Sequence, residues 1–164
     1  MHKLVFSHKV DMTHYKAGAV IFGCIDDRFS HLLARLIEHL KEEGKYDYVD
    51  RVVVAGGAKE LGRETFLWRQ IEASVLLHKT PTIVLTTHED CGAMEWSTRR
   101  GSRDTQFLFH LEKHREIERE VLFRFPKFKG KTRHFYLSAR GAIELDLSQE
   151  RLSEEEVLAL ALDQ

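Results

Sequence analysis

VIFGCIDDRFS, residues 20–30, begins as an apolar run and ends in a thiol, two carboxylates and a guanidinium, from Cys24, Asp26, Asp27 and Arg28. Unpaired charges are costly to bury, so these groups either sit on a solvated turn or serve one another. The flanking pattern frames the choice. Residues 18–25, GAVIFGCI, form an apolar run of strand length that reads as a buried strand. From about Ser30 to Glu43, Leu32, Leu33, Leu36, Ile37 and Leu40 recur at helical spacing, and Gly44 closes the helix.

The same succession repeats outward from this stretch. YVDRVVVA, residues 48–55, reads as a second strand ending at Gly56 and Gly57, and a helix follows from about Arg63 to His78. TIVLTT, 82–87, is a third strand; 104–123 is a long, charge-laced helix; RHFYLSA, 133–139, is a further strand. SEEEVLALAL, 153–162, opens on Ser153 and Glu156 as a capping box and predicts a last helix. Alternating strands and helices predict a single three-layer α/β domain over residues 1–164 with a mostly parallel central sheet. Right-handed crossovers then put every strand-to-helix turn on one edge, where ligands of such folds collect.

Composition narrows the function classes. The 164 residues are 43% hydrophobic and 31% charged, ordinary for a folded soluble domain. With 25 basic against 26 acidic side chains, no global field draws the chain to nucleic acid or an anionic membrane. Lys127, Lys129, Lys131 and Arg133 read as a solvated loop. The start of the chain lacks a signal-peptide core, and no apolar run approaches membrane-spanning length, so the expected location is cytoplasmic. Two cysteines make no disulfide framework; in a reducing compartment such a pair is more often ligand or catalyst.

A parallel sheet brings Cys24, ending the first strand, to the same edge as THEDCGAM, residues 87–94, which ends the third. His88 and Cys91, three residues apart, can bite one ion from a tight turn. With Cys24 they make a thiolate-imidazole-thiolate set suited to Zn2+, leaving a fourth position for water or substrate. Two thiolates neutralise the dication, so its water is acidified less than in an all-histidine site, and neighbouring groups must help remove the proton. Extended backbone would aim positions 24, 26 and 28 to one side, setting Asp26 by the metal and Arg28 against Asp26. Released by Arg28, Asp26 becomes a fourth ligand, giving the site an open and a closed state.

Cys24-x-Asp26-x-Arg28 followed by His88-x-x-Cys91-Gly92 resembles the paired signature of the beta-class carbonic anhydrases. The resemblance covers residues from about 17 to 94 and includes the order strand, helix, glycine turn, helix, strand. It implies that Cys24, His88 and Cys91 bind zinc and that Asp26 and Arg28 form a catalytic dyad. The implied reaction is reversible hydration of CO2 to bicarbonate by a zinc-bound hydroxide, in a homodimer or higher homo-oligomer. Related members hydrolyse carbonyl sulfide or carbon disulfide with the same ligands, and a non-catalytic zinc-binding homologue is a further alternative. The chain departs from the family at Val53 and Val54, where Arg-Asn is usual, and at Ser138, near a position where the family tends to place aspartate.

Other groups have plainer readings. Gly56, Gly57 and Gly62 lack the Lys-Ser/Thr of a P-loop and serve a turn that passes close to the site. Asp27 is a solvated or capping carboxylate at the helix start. Glu89 and Asp90 shape their loop and point away from the metal. His110 and His114 share a helix face and read as surface or interface residues. Phe107, Phe109, Phe123, Phe125 and Phe128 read as core or dimer surface, and Phe29 as pocket or core.

Overall fold

The structure, a computed structural model, describes residues 5, 7, 9–62, 65–94 and 103–149. In chain order its elements are β1 (Ala19–Cys24), α1 (Ser30–Gly44), β2 (Val49–Val54), α2 (Thr65–Leu77) and β3 (Thr82–His88). Then come α3 (Arg103–Arg124), β4 (Thr132–Ser138) and β5 (Gly141–Glu144). The expected helix over 153–162 lies outside the described residues.

Strands pair in the order β2-β1-β3-β4-β5. The first four are mutually parallel and β5 runs antiparallel to β4. The sequence reading did not anticipate β5, a four-residue strand of alternating exposure that finishes a tight hairpin. The chain reverses its direction of travel across the sheet at β1, which has β2 on one side and β3 on the other. Crevices at such a switch point open beyond the carboxyl ends of the strands.

Period-2 side chains on the strands meet period-3.6 side chains on the helices. Leu33, Leu36, Ile37 and Leu40 of α1 cover Ala19, Ile21 and Val84. On the opposite face Val20, Phe22, Ile83 and Leu85 pack against Leu67, Trp68, Ile71 and Val75 of α2 and Ile117 and Val121 of α3. Each such large side chain contributes about 1.5–3 kcal/mol when fully buried. These two cores make one three-layer domain. Gly44 is not the left-handed cap of α1: Lys45 takes that conformation, with φ 52°, and its N–H reaches the Lys41 carbonyl. Gly44 instead leaves room for the Tyr46 ring, which a Cβ there would meet at 1.9 Å.

Of the five phenylalanines between positions 107 and 128, Phe107 and Phe128 are buried and Phe123 is 85% exposed. Lys127, Lys129 and Lys131 are exposed as expected, whereas Arg133 bridges Glu43 and Glu144. No helix among the described residues is long and apolar enough to cross a membrane.

Candidate metal centre

In the β1–β3 pairing, Phe22 lies opposite Leu85. Cys24 is two residues beyond Phe22 and His88 three beyond Leu85, so both reach the same edge. A turn after β3 brings Cys91 back, closed by the Met94 N–H donating to the Cys91 carbonyl at 3.0 Å. One ligand atom from each of Cys24, His88 and Cys91 lies within 4.8 Å of the others, and the two sulfurs are 3.9 Å apart.

The donor set fits a metal ion on local chemistry. His88 is 1% exposed, and its Nδ1–H donates to the Glu89 carbonyl at 2.7 Å. That bond leaves Nε2 with its lone pair, and Nε2 is buried without a hydrogen-bond partner. A buried polar atom without a partner carries a desolvation cost that a bound cation would remove. The adjacent Cys91 thiol holds Cys24 well below the ordinary thiol range, helped by His88 and by the Gly56 N–H, which donates to its sulfur at 3.3 Å. Cys91 is pushed up by that same thiolate and by burial. Gly57 is required for the close approach: with φ +60°, any Cβ would fall 2.8 Å from the Thr86 carbonyl oxygen.

Asp26 and Arg28 meet by a different route from the one the strand pattern suggests. Alternation ends at Cys24, and residues Asp27–Phe29 form a 3-10 turn that folds Arg28 back. The Arg28 backbone N–H donates to Asp26 Oδ1 at 3.1 Å, so Asp26 caps the turn while Asp27 is exposed. Arg28 Nε and Nη2 donate to the same carboxylate at 3.0 and 2.6 Å. These bonds lower the Asp26 carboxyl to about 2. Asp26 Oδ2 stands 4.0 Å from His88 Nε2, and the Phe29 ring lies 4.4 Å from the imidazole.

Asp90 does more than shape its loop. Its carboxylate and its carbonyl each accept from Arg28 at 3.1 Å, and its own N–H donates to Gln106 at 3.0 Å. Neither Asp90 nor Gln106 could be assigned from the motifs, because their roles depend on α3 crossing this edge. Glu89 accepts from the Ala139 N–H at 3.0 Å, tying the ends of β3 and β4. The Ser138 hydroxyl serves the β4–β5 turn, between the Gly141 carbonyl and the Arg140 N–H.

The chain matches a protein-family model named "Putative carbonic anhydrase" over residues 14–119, well over half its length. The chain belongs to that family. Its fold is similar to the carbonic anhydrase of Streptococcus mutans, with a TM-score of 0.54, 15% identity, and coverage of 85% of this chain and 88% of the other. A Glaciozyma antarctica carbonic anhydrase aligns with TM-score 0.48 and 15% identity over 79% of this chain and 83% of its own. One of two tetrameric beta-carbonic anhydrases of Sordaria macrospora gives 0.47 and 15% over 80% and 81%. No curated protein matches in sequence.

Within this carbonic anhydrase family member, His110 and His114 are not surface residues: they are 1% and 0% exposed. The buried face of α3 carries Phe107, His110, Leu111, His114, Ile117 and Val121, and this 3-and-4 spacing was a legible signal of burial. His114 is held by the Thr87 hydroxyl and by His134, each at 3.0 Å, and His134 reaches Glu118 at 3.1 Å. Burial lowers His110 to about 3 and His114 well below its ordinary value, so both are neutral at pH 7.

Proposed function

We propose that the chain is a zinc-dependent carbonic anhydrase that hydrates CO2 reversibly to bicarbonate. The observation that carries this reading is the orphaned, buried Nε2 of His88 beside two thiol sulfurs, with a guanidinium-held carboxylate 4.0 Å away. Cys24 and Cys91 as thiolates, and His88 through Nε2, would hold the ion. When bound, zinc supplies the Lewis acidity that makes water a nucleophile near neutral pH.

The chain's own residues do the rest. Asp26, ionised at any working pH, accepts a hydrogen bond or the proton of the attacking water. Arg28 sets the direction of that carboxylate and keeps it from becoming a fourth ligand; release by Arg28 gives the closed state. Exposed Phe66, Leu76 and Leu77 support a homo-oligomer. A reducing cytoplasm keeps Cys24 and Cys91 available as thiolates.

Stopped-flow CO2 hydration by zinc-loaded protein tests the reading. A rate no higher than background from pH 7 to about 9 overturns it, the range in which a zinc-activated water ionises. Sulfide release from carbonyl sulfide without CO2 hydration would assign the site to the hydrolase alternative. Asp26→Asn is expected to lower hydration by about 100-fold or more while zinc content stays that of the parent.

A further inference from the structure

Arg28, the cation nearest the ligands on one side, is taken up by carboxylates: Asp26 holds Nε and Nη2 while Asp90 holds Nη1. Lys59 stands on the other side. It is 8% exposed, in the Gly57–Gly62 segment that follows β2, and it pairs with Glu60. Its stem lies against Gly56, where a Cβ would meet Lys59 Cε at 3.1 Å, and Gly56 is the residue whose N–H reaches the Cys24 sulfur.

Lys59 also lines a cavity of about 400 Å³ that shares Ala93 and Met94 with the Cys91 turn. Lys59, Lys113 and Arg119 line it together with Glu116 and Glu120, and Lys113 pairs with Glu116 at 2.7 Å. A buried ammonium is a strong anion partner because little water competes for it.

We propose that this cavity binds a small monoanion, bicarbonate in the reaction above, and that Lys59 is the cation that recognises it. The choice of bicarbonate rests on the carbonic anhydrase reading.

The test titrates sodium bicarbonate into zinc-loaded wild-type, Lys59→Gln and Lys59→Arg proteins, reading the rise in Tm against sodium sulfate at matched ionic strength. The half-saturating bicarbonate concentration is expected to rise by about tenfold or more in Lys59→Gln and to stay within about threefold in Lys59→Arg. In the dehydration direction, KM for bicarbonate should rise by more than kcat falls. Should Lys59→Gln not fold, Lys59→Met with Glu60→Met removes the pair as a unit and carries the same expectation. Bicarbonate titrations indistinguishable from wild type in the charge-free variants overturn the proposal. Wild-type protein that hydrates no CO2, yet binds bicarbonate through Lys59, would overturn the enzymatic reading and uphold the site.

Discussion

At the amino edge of the sheet, Asp50 of β2 accepts the Tyr15 hydroxyl at 2.8 Å, the Ser74 hydroxyl at 2.5 Å and His78 Nδ1–H at 2.8 Å. The Thr80 hydroxyl lies 2.5 Å from that of Ser74. At the carboxyl edge, His88 Nε2 has no hydrogen-bond partner. Both edges bury carboxylates, imidazoles and sulfur or oxygen donors, but only one completes its own hydrogen bonds. A closed network rigidifies and needs nothing more; an open one has a coordination position to offer. The Asp50 cluster fastens the segment before β1 to the end of α2, where the Ala17 N–H also donates to the His78 carbonyl at 3.1 Å. The contrast separates structural polarity from chemical polarity in one sheet.

Substitution at the two edges should therefore produce opposite losses. His88→Ala is expected to weaken zinc binding by more than the roughly 100-fold that loss of an outer partner can cost. Zinc retained after dialysis against a competing chelator measures this, and zinc held as tightly as in wild type would erase the distinction. Asp50→Ala should leave zinc binding intact and cost about 2–3 kcal/mol in urea unfolding, because Tyr15, Ser74 and His78 lose one shared acceptor. A change below about 0.5 kcal/mol would mean the network is ornamental to stability.

The smallest effect is in pH dependence, and it locates a third polar region. His110 and His114 bind protons less well folded than unfolded, because burial disfavours the imidazolium. Their stabilising effect is present above the unfolded value, about 6.5, and is lost as pH falls below it. Going from pH 7 to pH 6 should lower stability by about 0.7 kcal/mol per histidine. Asp50 is lowered net, its hydrogen bonds outweighing burial, so its contribution is lost only near pH 4 and below. Asp50→Ala should therefore retain the wild-type slope between pH 7 and 6; a flattened slope would place the titration at the amino edge instead.

The elements of the fold were legible because periodicity is a local property. Leu33, Leu36, Ile37 and Leu40 mark one helix face whatever they pack against, and the apolar runs at 19–22 and 83–85 belong inside. β5 escaped notice because four half-exposed residues gain strand character only from β4 beside them. The gathering of Cys24, His88 and Cys91 was legible for a topological reason: parallel strands end on one edge. Arg28 reached Asp26 by a 3-10 turn that no alternation rule describes.

By itself, then, the sequence determined which residues carry donor atoms, on which strands, and at which end of the sheet, since chain order and right-handed crossovers leave little freedom there. Tertiary structure decided which of those donors are left open. Whether an imidazole is saturated or orphaned, whether an aspartate holds one arginine or shares it, and whether a lysine faces water or a cavity all depend on neighbours distant in sequence. His88 and His114 read alike as letters. Thr87 and His134 close the ring of one, and the other keeps a free lone pair beside two sulfurs.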